Sequence, residues 1–377
     1  WESPLTPFKG AVPITFEQAS NRVHLQIDFD KLNRPVVVHV KIGKHYKDFE
    51  GRFGNLYINA PKTVISYDDK VERHHFFDRF GNQISVMGDV YEKVYSKDEY
   101  GRNLNLEFID SQRLQTKDMF GTKVYHWTYL DDGRVIEERR DENDSLLPLR
   151  GGFQFLRTRI TFGPDGYPAI LDNIDEEGNL AASESGAARL KYYYDSQGRF
   201  LKWEVYDTEN NPAIGPSNTA GEVNSFNGYE LDEITFYNKE KEPALHWSGA
   251  EKWKFDKDQY GNFTRLTFLT AAGRPMTGIG GYSTTVYQWS DDGRFLLSQF
   301  YLDANGDKIA NPNSNVHKVV HQRNNNGTIK ESRYYTTNDQ LVGRKRDNVA
   351  VIRYLYDDNG VKIGVEYLDV NQNVVKK

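Results

Sequence analysis

The sequence predicts an all-β protein of tandem antiparallel β-hairpins, about ten units of 31–34 residues joined into an extended or spiral sheet. Three observations predict it: a fixed period, a two-residue hydrophobic alternation inside each period, and Asp/Asn–Gly turn chemistry between the alternating runs. Aligning on the residue that opens the second turn of each unit gives Asp78, Asp110, Asp141, Asp175, Asp207, Asn238, Thr270, Asp303, Thr336 and Asp369, with spacings of 32, 31, 34, 32, 31, 32, 33, 33 and 33. A repeat array grows in one dimension, so a chain of 377 residues need not divide into two globular cores. A β-propeller with pairs of units as blades is the architectural alternative.

The first strand of each unit carries aromatics two apart, as in Trp127 and Tyr129, Tyr192 and Tyr194, Tyr287 and Trp289, and Tyr354 and Tyr356. That spacing puts both rings on one face of a strand. The first turn follows as Asp131-Asp132-Gly133, Pro164-Asp165-Gly166, Asp291-Asp292-Gly293, Asn325-Asn326-Gly327 or Asp358-Asn359-Gly360. Gly takes positive φ at no steric cost and Asp or Asn tolerates it, which suits hairpin turns.

In the second strand, counting back from the second-turn residue, positions −2, −4 and −6 hold Phe108, Leu106 and Leu104, or Val205, Trp203 and Leu201, or Tyr367, Val365 and Ile363. These are expected to form the core. Positions −3 and −5 hold Glu107 and Asn105, Glu204 and Lys202, or Arg333 and Glu331, so the other face is expected to be charged and solvated. Position −1 is again apolar, with Phe77, Ile109, Tyr206, Tyr237 and Leu302, which predicts a bulge or a second contact near that turn. Connectors after the second turn contain Gly beside a small residue, as in Gly121-Thr122, Gly186-Ala187 and Gly249-Ala250. The longest, between Asn210 and Tyr229, is expected to be a large surface loop.

Residues 1–64 fall outside this register and are expected to form a divergent N-terminal cap on the array of residues 65–377. Phe29-Asp30-Lys31-Leu32-Asn33-Arg34-Pro35 resembles a second turn, but it lies 48 residues before Asp78. No amphipathic helix longer than a turn or two is expected. The first residue is Trp1, which suggests a processed chain from which an export or lipoprotein signal was removed.

Tyr194-Asp195-Ser196-Gln197-Gly198-Arg199 and Tyr356-Asp357-Asp358-Asn359-Gly360 resemble the tyrosine-aspartate (YD) repeats of bacterial envelope and toxin proteins. The paired form, with Tyr206-Asp207-Thr208-Glu209-Asn210-Asn211-Pro212 as its second turn, is similar to bacterial tandem hairpin-repeat proteins. The resemblance covers about 310 residues and implies a bacterial all-β repeat protein, without transferring any catalytic residue.

A net charge of −6 with no run of Lys or Arg argues against nucleic acid as a partner. No stretch approaches the roughly 18 apolar residues of a membrane-spanning helix, and mean hydropathy is −0.73. With no cysteine, disulfides, thiolate metal sites and cysteine nucleophiles are all excluded. His74-His75 is the only histidine pair, and neighbours on a strand point to opposite faces, so the two are poorly placed to chelate one metal. Ser183-Glu184-Ser185-Gly186 lacks the flanking glycine of a nucleophile elbow. The column Glu107, Glu138, Asp172, Glu204 and Glu366 supplies paired carboxylates of the kind that cleave glycosides, but it arises from the repeat itself. Asp303-Ala304-Asn305-Gly306-Asp307 resembles the start of a calcium loop without its distal Glu, so calcium is a possible ligand and no other cofactor is implied.

The aromatics that fit no core column are Trp247 and Tyr282, both in connectors, with His246 beside the former. Such rings can stack on sugars or anchor a protein. The expected function is therefore a noncatalytic, secreted, periplasmic or cell-surface bacterial protein. It would bind a protein or glycan partner through its extended β surface, with His246, Trp247 and Tyr282 as candidate contacts. A glycan hydrolase or lyase with a groove site, and a structural spacer, are the alternatives.

Overall fold

A computed structural model describes residues 13–48, 60–149 and 153–376. Trp1, and parts of the expected cap at residues 1–12 and 49–59, lie outside the described residues. The rest forms one sheet of 24 antiparallel strands and a single five-residue helix, Phe16–Ser20, whose Thr15 and Gln18 form a capping box. Each long strand pairs with the next long strand in sequence, the two-residue strands His45–Tyr46 and Gln115–Thr116 being bypassed, and the end strands Val23–Phe29 and Lys362–Leu368 do not pair with each other. The sheet is an open hairpin array, which removes the closed propeller.

Several units, among them those with turns at 98–102, 163–167, 195–199 and 258–262, have three turns of one design. In the clearest unit the strands Arg189–Tyr194 and Phe200–Tyr206 flank a first turn at 195–199, and further turns follow at 207–211 and 215–219. In each, the amide of the first residue bonds to the carbonyl four on, and the fourth amide bonds back to the first carbonyl: 3.0 and 3.0 Å from Asp195, 2.9 and 3.2 Å from Asp207, 2.8 and 3.0 Å from Gly215. Asp195 Oδ1 also accepts the Gln197 and Arg199 amides, and Asp207 Oδ1 those of Glu209 and Asn211. This explains why Asp, Asn or Thr opens these turns: a short acceptor satisfies two amides the hairpin leaves free. The fourth residue has positive φ, 78° at Gly198 and 64° at Asn210.

The third turn was not anticipated, because its first residue varies among Asp118, Ser183, Gly215, His246 and Gly278. The supposed loop between Asn210 and Tyr229 is this turn plus the strand Gly221–Asn227, paired to Glu230–Tyr237. Its Ser, Asn and Pro content masked a seven-residue strand. The expected bulge is also displaced: register shifts fall beside the first turn, at Ser96/Lys97, Tyr193/Tyr194 and Leu355/Tyr356 among others. At the second turn the position −1 residue instead bridges to the returning chain, as in Tyr206 with Pro212.

The alternation holds where strands are covered. Leu106, Phe108 and Val205 are fully or almost fully buried, whereas Leu104 and Ile363 at position −6 are exposed, since that position lies beyond the part of the strand that the next unit overlaps. Two charged residues, Glu137 and Arg139, take core positions −4 and −2 in the third unit. The aromatic before the first turn links successive hairpins. The Tyr67, Tyr129 and Tyr356 hydroxyls and the Trp289 Nε1–H donate to the Pro35, Asn103, Ile329 and Phe263 carbonyls of the preceding hairpin at 2.8–3.0 Å. One ring thus fills the core and ties units together.

Asp30-Lys31-Leu32-Asn33-Arg34 does form a turn of the repeat design, joining Val23–Phe29 to Pro35–Ile42. This N-terminal hairpin meets the turns of much later units. Val23 N–H bonds to the Tyr260 carbonyl, and Arg22 pairs with Glu230. Lys47 Nζ donates to the Gly293 and Arg294 carbonyls at 3.0 and 2.9 Å and sits 3.9 Å from the Trp289 ring centre. Further along, Arg79 bonds to the Asn326 carbonyl and Asn82 to that of Asn359. These contacts span 208 to 277 residues, so the sheet spirals and its first hairpins abut the first turns of the last units.

Candidate functional site

The face expected to be solvated is built differently. At position −3, Asp172 and Glu204 are buried, and each carboxylate meets two cations. Asp172 takes Arg189 at 2.6 Å and Arg159 at 2.9 Å. Glu138 takes Arg157 at 2.5 Å and Arg140 at 2.7 Å. Glu331, at position −5, takes Arg333 of its own strand at 2.6 Å and Arg353 of the next at 2.8 Å.

Glu204 is the densest node, accepting from Lys241 and the Tyr206 hydroxyl at 2.7 Å, the Tyr193 hydroxyl at 2.8 Å and Lys202 at 3.1 Å. Burial opposes its charge, but these four donors outweigh burial and hold the carboxyl far below the usual range. Such a group is held as an anion near neutral pH. Glu138, Asp172 and Glu204 of this column are thus engaged in ion pairs within and between strands.

The buried Glu137–Arg139 pair is equally closed. Arg139 Nη1 meets Glu137 at 2.6 Å and Nη2 meets the Phe155 carbonyl at 2.6 Å, while Trp127 Nε1 donates to Glu137 at 2.9 Å. Every one of these partners is part of the protein, so the pair fixes packing. His74 packs inward with Nε2 2.7 Å from Glu72. Asp303 Oδ1 accepts the Asn305 and Asp307 amides in the turn design described above. Among the described residues no group of three or more His, Asp or Glu side chains is gathered as a metal cage. No helix among them is long and apolar enough to cross a membrane.

The third turns between residues 215 and 349 are linked to one another. They stack along one margin of the sheet: Trp247 N–H bonds to the Ser217 carbonyl at 2.9 Å, Ile279 N–H to Ser248 at 2.8 Å, and Lys345 N–H to Ser314 at 3.0 Å. Pro312 packs directly on Gly281, whose missing side chain makes the room. The second position of successive turns is thus Pro216, Trp247, Ile279 and Pro312. Trp247 is 61% and Ile279 72% exposed. Met119 and Phe120 are exposed in an earlier third turn, that of 118–122.

The three sequence-predicted contacts fall in two adjacent turns of this ladder but differ in access. Trp247 is open to solvent. His246 is buried beneath it, stacked on Phe236 with ring centres 4.4 Å apart and edge-on to Trp253 at 4.9 Å. Its Nδ1 accepts the Ser248 amide at 3.1 Å, and burial pushes its pKa down to about 4, so the ring is neutral. Tyr282 is half-buried between Phe268 and Tyr301. The exposure of Ile279 beside Trp247 has no counterpart in the sequence pattern, because the connection between third turns is made by backbone hydrogen bonds that leave no residue signature.

No family model matches the chain, and no curated protein does. Among solved structures, that of TcdB2-TccC3-Cdc42 aligns over 92% of this chain and 18% of that one, at 12% identity and a TM-score of 0.35. The Tc holotoxin pore of Photorhabdus luminescens aligns over 94% of this chain and 19% of that one, at 11% identity and a TM-score of 0.21. The family 43 glycoside hydrolase YxiA of Bacillus licheniformis aligns over 97% of both, at 9% identity and a TM-score of 0.12. The chain thus spans about a fifth of the two toxin chains. All three scores lie below 0.5, so these neighbours say nothing about what the chain does.

Proposed function

We propose that the chain is a noncatalytic bacterial envelope or secreted repeat protein that holds a protein or glycan partner against its third-turn ladder. The observation that supports this reading is Trp247, an exposed indole on a turn fixed from below by the Ser217 bond and from above by Ile279. An aromatic held on ordered backbone loses little entropy on binding, and its face suits either a pyranose ring or an apolar protein anchor. The ion pairs that hold Glu138, Asp172, Glu204 and Glu331 on the sheet face support binding over turnover, since those carboxylates are already engaged by Arg, Lys or Tyr.

The test is retention of the purified protein on a panel of bacterial envelope polysaccharides and on envelope protein extract, with Trp247→Ala in parallel. Retention lost in the variant supports the ladder as the binding surface. Retention by neither protein on any matrix counts against a binding role, and turnover of a panel polysaccharide would replace this reading with an enzymatic one. Fractionation of the producing cells tests the compartment separately.

A further inference from the structure

We infer that the third turns between residues 215 and 316 take a neutral, linear glycan, laid across the turns with its sugar rings on Trp247 and Ile279. The inference rests on the proposed reading of this ladder as the binding surface and adds the chemistry of the ligand. Residues 214–220, 245–250, 277–283 and 310–316, which make up four successive third turns, contain no Asp, Glu, Lys or Arg, in a chain of which 27% is charged. At that share, 27 residues would carry about seven charges. The one histidine among them, His246, is buried and neutral. Third turns on either side do carry charge, with Glu184 in one and the Arg344–Asp347 ion pair in another. So do the second turns on the same margin of the sheet, as in Lys239-Glu240-Lys241-Glu242. The neutrality therefore belongs to these four turns and not to the margin as a whole.

Leu245, Trp247, Ile279 and Pro312 give this stretch an exposed apolar run through its middle, and the exposed carboxamides of Asn218 and Asn313 stand at its two ends. Asn218 Nδ2 donates to the Leu245 carbonyl at 3.1 Å, which ties the first end to the turn of Trp247. A carboxamide both donates and accepts, as a sugar hydroxyl does, and an indole face suits the axial C–H bonds of a pyranose. Spacing agrees with this chemistry. Each hairpin adds two strands, so equivalent positions of successive turns recur at roughly 10 Å, twice the strand spacing. A disaccharide of an extended, equatorially linked chain covers about that length, so Trp247 and Ile279, at the same position of neighbouring turns, meet alternate rings. A repeating surface thus fits a repeating polymer. A stable protein interface needs about 800 Å² on each side, wider than a run of single turns bordered by charged ones. An acidic glycan gains nothing from residues that include no cation. Lys345 Nζ reaches the last of these turns, where it is bonded to the Pro312 carbonyl at 2.6 Å, two turns away from Trp247.

Affinity electrophoresis of the full chain through gels holding glucomannan or hydroxyethyl cellulose, and in parallel alginate or polygalacturonate, tests the charge of the ligand directly. The expected result is retardation by a neutral polymer that persists at about 0.5 M salt, where electrostatic attraction is screened. Trp247→Ala should weaken it by about tenfold, and Ile279→Ala, at the neighbouring turn, by severalfold; mobility in polymer-free gels controls for folding. Retardation by the acidic polymers alone, lost at high salt, overturns the inference, as does retention on envelope protein with no retardation by any polymer. If Trp247→Ala abolishes binding in either of those cases, the ladder still stands as the binding surface and only its ligand has been misassigned. Retardation by neutral polymers that both variants leave intact overturns the inference by placing the contact elsewhere. Failure to bind any polymer or any envelope protein removes both the inference and the binding role it rests on.

Discussion

The Trp247 amide donates to the Ser217 carbonyl at 2.9 Å, so the most exposed aromatic of the described third turns rides on backbone bonded to the preceding unit. Ring and amide can be separated by mutation. Trp247→Ala removes mostly exposed surface and is expected to cost less than about 1 kcal/mol of stability. Trp247→Pro keeps the turn, since Pro216 and Pro312 occupy the same position in neighbouring turns, but deletes the donor and should cost about 1 kcal/mol more. Urea midpoints at constant m-value measure the difference. Equal costs would show that the inter-turn bond contributes nothing.

Glu204 anchors four donors from three chain segments, and its folded-state pKa lies well below the unfolded value. A depressed carboxyl contributes stability that is present above the unfolded value of about 4.5 and is lost as pH falls below it. Glu204→Gln should therefore lower stability near neutral pH by about 1–3 kcal/mol, less than for a fully buried pair because Lys202 and Lys241 reach solvent. Chemical denaturation at pH 7 and pH 3 checks this: the gap between wild type and variant should narrow at the lower pH.

Most of the hairpin frame was legible in the sequence, because period, alternation and turn chemistry each leave residue signatures. Tyr194-Asp195 encodes a ring before the turn and an acceptor that satisfies two amides inside it. The third turn was not legible, since residues as different as Asp118 and His246 open it and backbone bonds complete it. The polarity of the outer face was misjudged for a related reason: the alternation places Glu204 opposite the core but does not reveal that Lys241, 37 residues on, folds over it. Of the candidate site, exposure at Trp247 followed from its misfit to the core columns. Burial of His246 did not, because the rings that cover it, Phe236 and Trp253, come from two strands of successive hairpins.

His246 gives a pH dependence in a separate window. Its pKa falls from 6.5 to about 4 on folding through burial, so the folded protein resists a proton that the unfolded chain accepts. The resulting stability is fully present above pH 6.5 and is lost as pH falls toward 4, by up to about 2–3 kcal/mol. His246→Asn keeps an acceptor near the Ser248 amide but cannot titrate. It should lower stability at pH 7 and flatten the profile between pH 6.5 and 4, as followed by urea denaturation across that range.

The spiral seam predicts a local effect on shape. Lys47 is buried against two carbonyls and the Trp289 ring, and Arg79 reaches the Asn326 carbonyl while pairing with Asp48 at 2.6 Å. Lys47→Ala with Arg79→Ala should free the N-terminal hairpin from the late units without unfolding the array, since repeat stability resides in neighbour contacts. Small-angle scattering should then report a larger radius of gyration. Hydrogen exchange should speed up in strands Val23–Phe29 and Pro35–Ile42 and stay unchanged in Thr284–Trp289. Unchanged scattering would show that the seam does not hold the spiral.

Two first-turn glycines separate the cost of backbone conformation from the cost of space. Gly133 and Gly198 have φ of 82° and 78°, so an alanine at either is strained alike. A Cβ at Gly133 would meet nothing within 4 Å, whereas one at Gly198 would collide with the Tyr167 ring, which stacks on Tyr194 at 4.8 Å. Gly133→Ala should therefore cost about 1 kcal/mol for the left-handed conformation alone. Gly198→Ala should cost about 2–3 kcal/mol, because Tyr167 must also leave its stacked position. Equal thermal shifts in the two variants would mean that Tyr167 moves freely and that the stacked pair does not tie the hairpin ending at Asn173 to the next.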